Sequence, residues 1–300
     1  MGPEGTDAAR EAADVVLTDD NFASIVNAVE EGRAVYANIR RFAAYVFNSN
    51  MAEAVPFVAM LFSRGAIPLP LTVMQVLAID LGTDMVPAVG LGAERPEAGV
   101  MDRPPRDRRA PLLTGALLAK ALLWYGALEA AAGLTGYLLV NRLHGWPALP
   151  LAPEGSAVYA LATTMTLASI VAAQVGAVFG CRTDRTSVFR VGLLSNRLVL
   201  LGVAVEVGLL LVLVSVPLLQ RVFGTAPIGV PEGLVLLLWP PLVLLADEGR
   251  KALLRALDAR RRRADPPTGA LQASLADGGQ GQGDGLVRVP AGVEHDGAGY

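Results

Sequence analysis

An all-α, polytopic membrane bundle is the fold class this sequence predicts, and three observations predict it. Hydrophobic residues make up 53% of the 300 and charged residues only 18%, and the mean hydropathy is +0.45, too apolar a balance for an ordinary soluble domain. The apolar residues gather into blocks near the roughly 20 residues that a bilayer core requires. The basic residues gather at alternate ends of those blocks, the pattern that orients membrane helices. The single cysteine, Cys181, excludes an intramolecular disulfide framework and a multi-cysteine metal site. Residues 1–10 lack the basic flank and apolar run of a signal peptide.

Residues 1–20 read as a small piece outside the membrane. Gly2, Gly5 and the stretch 7–14 precede Val15, Val16 and Leu17, a short run of strand type that stops at Asp19 and Asp20. Asp19, Asp20 and Asn21 are N-cap residues. Ile25, Val26, Val29, Val35, Ile39 and Phe42 then recur mostly at three- and four-residue steps, the helical period, and no proline interrupts them before Pro56. Residues 21–41 are therefore expected to form a cytosolic stalk helix that runs straight into the bilayer and links the two regions mechanically.

Six spans follow, at about 42–62, 71–92, 112–140, 157–180, 198–219 and 233–256, within a membrane region of residues 42–257. The sixth is the weakest, because its apolar run 233–246 is short and holds Pro240 and Pro241; Leu253, Leu254 and Leu257 complete the crossing. Arg40 and Arg41 precede the first span. Arg95, Arg103, Arg106, Arg108 and Arg109 follow the second, Arg182, Arg185, Arg190 and Arg197 the fourth, and Arg250, Lys251, Arg255 and the run 260–263 end the sixth. The opposite loops hold Arg64, Arg142 and Arg221. Both termini are thus expected to be cytoplasmic. The run 260–263 reads as a positive-inside anchor at the headgroups, not as a nucleic-acid patch. The tail 258–300 is rich in Gly, Asp, Gln and Pro and is expected to be disordered, because it buries too little surface to order itself.

Polar side chains interrupt the first two spans: Asn48, Ser49, Asn50 and Glu53 in one, Asp80, Thr83 and Asp84 in the other. Residues three or four apart share a helix face, so Asn50 with Glu53 forms one patch and Asp80, Thr83 and Asp84 a second. A carboxylate at the bilayer centre costs roughly 3 kcal/mol, and three left alone in lipid cost on the order of 9 kcal/mol. Lys120, in the third span, lies too near the cytoplasmic side to be their partner. Interhelical hydrogen bonding accounts for Ser49 and Thr83 but not for three acids. Carboxylates, amide oxygens and hydroxyls suit hard cations such as sodium, potassium, calcium or magnesium, so Glu53, Asp80 and Asp84 are expected to bind an ion or exchange protons.

Backbone breaks point the same way. Gly82 weakens the helix and Pro87 removes the hydrogen bond to the Thr83 carbonyl; Pro56 does the same one turn past Glu53. Freed carbonyls at membrane depth are tolerated where they line a cavity or coordinate an ion. Gln174, in the fourth span, is either packing glue or a ligand. Glu206, an acid in an otherwise apolar fifth span, reads as functional. Glu129, with Gly133 and Gly136 beside it, reads as facing a packed interface, and Tyr45 as core.

Four stretches together resemble type II P-type cation-transporting ATPases: A-I-D-L-G-T-D-M-V-P-A at 78–88, M-D-R-P-P-R at 101–106, N-S-N-M-A-E at 48–53 and G-T-D-A-A-R-E-A-A-D-V-V-L-T-D-D-N-F at 5–22. They fall in the family's order and spacing, and the resemblance covers residues 1–257. It implies that the six spans correspond to the family's fifth to tenth membrane helices. It implies too that residues 1–20 are the C-terminal remnant of an α/β phosphorylation domain, and that Asn50, Glu53, Asp80, Thr83 and Asp84 are ligands of the transported cation. Asp80 and the stretch C-R-T-D-R-T-S-V-F at 181–189 are similar to the sodium/potassium branch, in which the positions of Tyr45, Gln174 and Glu206 are associated with a third sodium site. Ala177 departs from that branch, which carries an aspartate there.

These residues contain no D-K-T-G-T, T-G-E-S or G-D-G-x-N-D motif, no nucleotide-binding domain and no P-E-G-L helix. Phosphoryl transfer requires an acceptor, magnesium and positioned phosphate-binding groups, so the chain alone is expected not to hydrolyse ATP. The expectation is a cation-transport membrane domain, with sodium, potassium or calcium as cargo and ATP and magnesium acting only in a complete pump. Lipid and a separate chain carrying the catalytic half are its expected partners, nucleic acid is not, and the plasma membrane is its expected location. A stand-alone passive channel or carrier and an inert or regulatory remnant are the competing readings.

Overall fold

The computed structural model describes residues 6–19, 21–97, 99–102, 104–107 and 109–264. The chain divides into two units, one ending at Ala252 and the other beginning at Leu253. Helix α1 (Asp7–Glu11) is capped by Thr6, whose hydroxyl accepts from the Ala9 amide at 3.3 Å. Residues 15–17 form no strand, and none occurs among the described residues. A strand exists only by pairing with another, and the short apolar run has none to pair with.

The stalk and the first expected span are one helix. α2 (Phe22–Phe62) is 41 residues long, about 60 Å at 1.5 Å per residue. Asn21 caps it by accepting from the Ala23 amide at 3.0 Å. Pro56 lies within it, buried, without ending it. The helix stops where Ser63 takes up the Met60 carbonyl and Arg64 and Gly65 turn to positive φ. Five other helical stretches are long and apolar enough to cross a membrane: Val73–Gly92, Gly115–Leu143, Ala157–Cys181, Arg197–Ser215 and Val230–Arg260. The 42–62 stretch is not among them; Asn48, Ser49, Asn50 and Glu53 dilute its apolar content.

The second stretch is not uniformly α-helical. α3 (Val73–Ala78) starts with a reciprocal cap between Thr72 and Gln75 and passes into a π-helical turn, π1 (Ile79–Thr83), before α4 (Met85–Gly92). In π1 the Asp84 amide bonds the Ile79 carbonyl, five residues back, at 3.1 Å. The third stretch repeats the device: α5 (Gly115–Leu118), π2 (Ala119–Gly126) and α6 (Ala127–Leu143). α7 (Ala157–Cys181) is the axis of the bundle and almost wholly buried.

The short α8 (Val188–Val191) leads to α9 (Arg197–Ser215). The fifth span was expected to reach 219, but Val216 leaves the helix and Pro217 opens α10 (Pro217–Phe223), because proline offers no amide to continue the ladder and suits a first helical position. α11 (Val230–Leu236) and α12 (Trp239–Ala264) make up the last stretch. Pro240 and Pro241 fall in the first turn of α12, where missing amide donors cost nothing. α12 continues through 258–264, which the sequence assigns to a disordered tail; alanine, leucine and arginine are strong helix formers. The rest of that tail and residues 1–5 lie outside the described residues.

α6 packs along α7, and α4 packs along α9. The α4–α9 contact is close because a Cβ on Gly90 would lie 2.8 Å from the Val199 backbone nitrogen, and one on Gly202 2.6 Å from Pro87. Small residues that let backbones approach are how membrane helices associate. Tyr45, Ala132, Ala173, Ala177 and Val199 form the core on one side of α7, and Leu71, Ile79, Leu167, Ile170 and Leu210 that on another.

Candidate cation site

The buried face of α2 carries Tyr45, Asn48, Ser49, Ala52, Glu53 and Pro56, the three- and four-residue steps of one helix stripe. Opposite it, π1 and its flanks present Asp80, Thr83 and Asp84. One oxygen from each of Glu53, Asp80 and Asp84 lies within 4.8 Å of the other two. Glu53, Thr83 and Asp84 are buried, whereas Asp80 is half-buried. The π turn makes this possible, since its extra residue re-aims the residues after it relative to a straight α-helix.

The groups around the three acids are hydroxyls and amides. Ser49 donates to Glu53 Oε1 at 3.4 Å, and Gln174 Nε2 donates to Ser49 Oγ at 2.9 Å. Thr83 Oγ1 donates to the Ile79 carbonyl at 3.2 Å, which leaves its lone pairs facing away from the helix ladder. Among the described residues no lysine, arginine or histidine pairs with Glu53, Asp80 or Asp84. Lys120 is engaged elsewhere, at 2.6 Å from Asp184. Three carboxylates brought together without positive charge repel one another, and oxygen donors in this number and kind match a hard cation.

Asn50 is not buried with this group. It is exposed on α2, because the buried stripe is centred on Ser49 and Ala52 and Asn50 lies about 60° beyond Glu53 at its edge. Asn48, which the sequence shows only as a polar interruption, is fully buried, with neither amide atom hydrogen-bonded. Tyr45, Gln174 and Glu206 are all buried in the same layer, with the Tyr45 hydroxyl, Gln174 Oε1 and both Glu206 oxygens unpartnered. Glu129 is fully buried and unpartnered at both oxygens as well, although Gly133 and Gly136 beside it do pack against α7. The signal that finds Glu129 in the sequence is the one that finds Glu206, an acid inside an apolar span.

At the end of the bundle that holds Glu94 and Arg182, the polar groups pair with one another. Arg182 donates to both Glu94 oxygens at 2.8 and 2.9 Å and to the Gly192 and Leu193 carbonyls at 2.9 Å. Burial would push Glu94 up, but hydrogen bonds from Arg182 and Asn196 hold its carboxyl below the usual range. Lys251 bonds Thr183, the Gly180 carbonyl, Asp247 and Glu248.

Residues 68–253 match the family model described as cation transporting ATPase, C-terminus. The chain is similar to the sodium/potassium-transporting ATPase subunit alpha-4 of Rattus norvegicus, 33% identical over 85% of this chain and 27% of that protein. It is also similar to calcium-transporting ATPase 1 of Schizosaccharomyces pombe, 37% identical over 84% of this chain and 26% of that protein. The sodium/potassium-transporting ATPase subunit alpha-2 of Gallus gallus is 34% identical over 85% of the chain. The chain thus spans about a quarter of the length of these curated relatives. With all-helical spans, a broken second span and family-wide similarity in agreement, the chain belongs to the cation-transporting P-type ATPases, of which it carries the C-terminal membrane region.

Proposed function

We propose that this chain is the cation-carrying membrane part of an ATP-driven pump, and that Glu53, Asp80 and Asp84, with Thr83, hold the transported cation. The observation that supports this most is the convergence of three carboxylates within 4.8 Å, inside apolar helical stretches and without a basic partner among the described residues. Such a cluster is costly in lipid and useful only when positive charge is shared among the three. The oxygen-only donor set favours sodium, potassium or calcium. Relatives named for sodium/potassium and for calcium are similarly close.

The ATP-hydrolysing machinery belongs, in this proposal, to a part of the pump outside these residues. Asn50 is exposed and Asp80 half-buried at a depth where lipid would otherwise meet them, so a further membrane segment covers that side of the site. Both termini on the cytosolic side and residence in the plasma membrane complete the proposal, the first supported by the arginine asymmetry.

The test is cation-dependent stabilisation of the purified chain in detergent. A cation at 100 times its dissociation constant stabilises by roughly 2.7 kcal/mol, read as a rise in melting temperature with sodium, potassium or calcium over a choline control. Asp84→Asn should abolish most of that rise. An unchanged rise in Asp84→Asn removes the site from these residues.

A further inference from the structure

We infer that the groove between the first half of α2 and the loop carrying Val100, Pro104 and Arg106 binds the phosphate of an anionic phospholipid, held by Arg40 and Arg106 where both gather on the Tyr36 ring. The inference is independent of the proposed cation function and concerns a part of the molecule remote in sequence from the three carboxylates.

Val29, Gly32, Tyr36 and Arg40 recur at three- and four-residue steps and so share one face of α2. That face and the loop border a groove of about 620 Å³, within the range that holds a small organic ligand. Arg33 donates to the Val100 carbonyl at 2.8 Å and fastens the loop to the helix. Arg40 donates to the Thr114 hydroxyl at 3.3 Å, and Arg106 to the Ala110 carbonyl at 3.1 Å. The guanidinium carbons of Arg106 and Arg40 lie 4.1 and 5.9 Å from the centroid of the Tyr36 ring, where the face of an aromatic ring attracts a cation.

Two cations gathered on one ring repel each other. Each spends a donor on a neutral oxygen, and among the described residues neither forms an ion pair with a carboxylate. Asp184 borders the same groove, but its carboxylate is taken by Lys120 at 2.6 Å and reaches Arg40 only through the longer-range attraction of opposite charges. A guanidinium presents its N–H donors as a planar fork, and most of each fork here remains available. Two such forks match a phosphate, which accepts from both and cancels their repulsion. The place of the groove makes that phosphate a lipid's. Thr114, which Arg40 holds, caps α5 by accepting from the Leu117 amide at 3.3 Å, and the stretch Gly115–Leu143 that starts there is long and apolar enough to cross a membrane. Arg40 therefore stands where a crossing begins, the level of the phospholipid headgroups. Ile39 and Phe42 beside it on α2 are exposed and offer apolar surface to the acyl chains of a lipid whose phosphate sits in the groove.

The test is native mass spectrometry of the purified, delipidated full chain in detergent, titrated with phosphatidic acid, phosphatidylglycerol or phosphatidylcholine, with and without inorganic phosphate. One anionic lipid should bind ahead of any others and ahead of phosphatidylcholine, and inorganic phosphate at the same concentration should not displace it. Arg40→Gln and Arg106→Gln should each weaken that first lipid by about tenfold, whereas Arg95→Gln and Arg197→Gln, which remove exposed arginines outside the groove, should change it by less than about twofold. Arg106→Lys keeps the charge but not the fork and should recover only part of the loss. Arg106 is exposed, so its replacement should leave the melting temperature of the lipid-free chain unchanged and separates lost binding from lost folding. If Arg95→Gln weakens binding as much as Arg106→Gln, general positive charge attracts the lipid and there is no site. If phosphatidylcholine binds as well as phosphatidic acid, the arginines do not read the charge and the inference fails. If inorganic phosphate displaces the lipid, the occupant is a soluble phosphate and the lipid assignment fails. If the unaltered chain holds no lipid ahead of the rest, the groove is not a lipid site. None of these results bears on the cation test with Asp84→Asn.

Discussion

Arg182 and Glu53 are both charged side chains buried in the bundle, and the bundle treats them in opposite ways. Arg182, fully buried, has a bidentate carboxylate, two carbonyls and the Ser195 hydroxyl around it. Glu53 has one long hydrogen bond from Ser49 and two more acids within 4.8 Å. The first is a closed network that ties the ends of α4, α7 and α9 together. The second is open, and its members repel one another. A buried charge whose partners are all present fastens structure; one without a partner among the described residues is, on the proposed function, where a cation is held. The distinction depends on satisfied hydrogen bonds and not on burial, which the two regions share.

The sharpest way to break this comparison is to remove one member of each network. Arg182→Met deletes the cation beside Glu94 and leaves its buried carboxylate with the Asn196 hydrogen bond and the more distant charge of Arg41, so unfolding in detergent should show a loss of roughly 3–5 kcal/mol. Glu53→Gln removes a charge from a repelling cluster and orphans no oppositely charged partner, so stability measured without added cation should hold or rise. If Arg182→Met costs under about 1 kcal/mol, or Glu53→Gln costs as much as Arg182→Met, closed and open networks are not different in kind.

A smaller effect sharpens the comparison through pH. Glu94 is pushed up by burial but held below the usual glutamate range by Arg182 and Asn196. A carboxyl depressed in the folded state contributes stability that is present above its unfolded pKa and is lost as pH falls through the folded one. The contribution should therefore be intact at neutral pH, begin to fade near about 4.3 and vanish below that. Melting temperatures of the unaltered chain and of Glu94→Gln should differ at pH 7 and converge as the pH falls toward the acid limit. Curves that stay parallel down to that limit would show that the Glu94 charge is not what the network uses.

Much of this was readable in the residues, and the parts that were not have physical reasons. The helical class, five of the six spans and the break between Asp80 and Asp84 follow from apolar block length, Gly82 and Pro87. Asn50 is exposed although it is grouped with Glu53, because three-residue spacing says that two side chains are neighbours, not that both face inward. Glu53 sits at the rim of the buried stripe of α2, so its neighbour on one side, Ser49, is inside and the one on the other, Asn50, is outside. The sequence shows Asn48 only as a polar interruption and Glu129 as facing a packed interface, because orphaned hydrogen-bonding atoms become visible only once the helices are placed side by side. The fifth span ends early at Pro217 for a reason local to the sequence, but hydropathy alone does not register it, since Val216, Leu218 and Leu219 remain apolar.

The smallest expected effect is at Lys120 and Asp184, and it separates closure from burial. Their contact is short, 2.6 Å, but the Asp184 side chain is 53% exposed and that of Lys120 12%. Burial of the surrounding surface pushes Asp184 up, yet Lys120 holds its carboxyl well below the usual aspartate range. If a close pair were enough, Asp184→Asn should rival Arg182→Met. Water reaches Asp184, however, so most of what Lys120 supplies is also supplied by solvent, and exposed pairs contribute about 0–1 kcal/mol, less in salt. Asp184→Asn should therefore shift the unfolding midpoint by no more than that, and raising the salt concentration should shrink the difference further. A loss of several kcal/mol, insensitive to salt, would mean that the α7–α8 loop closes over the pair in solution and that Lys120 and Asp184 belong with the Arg182 network.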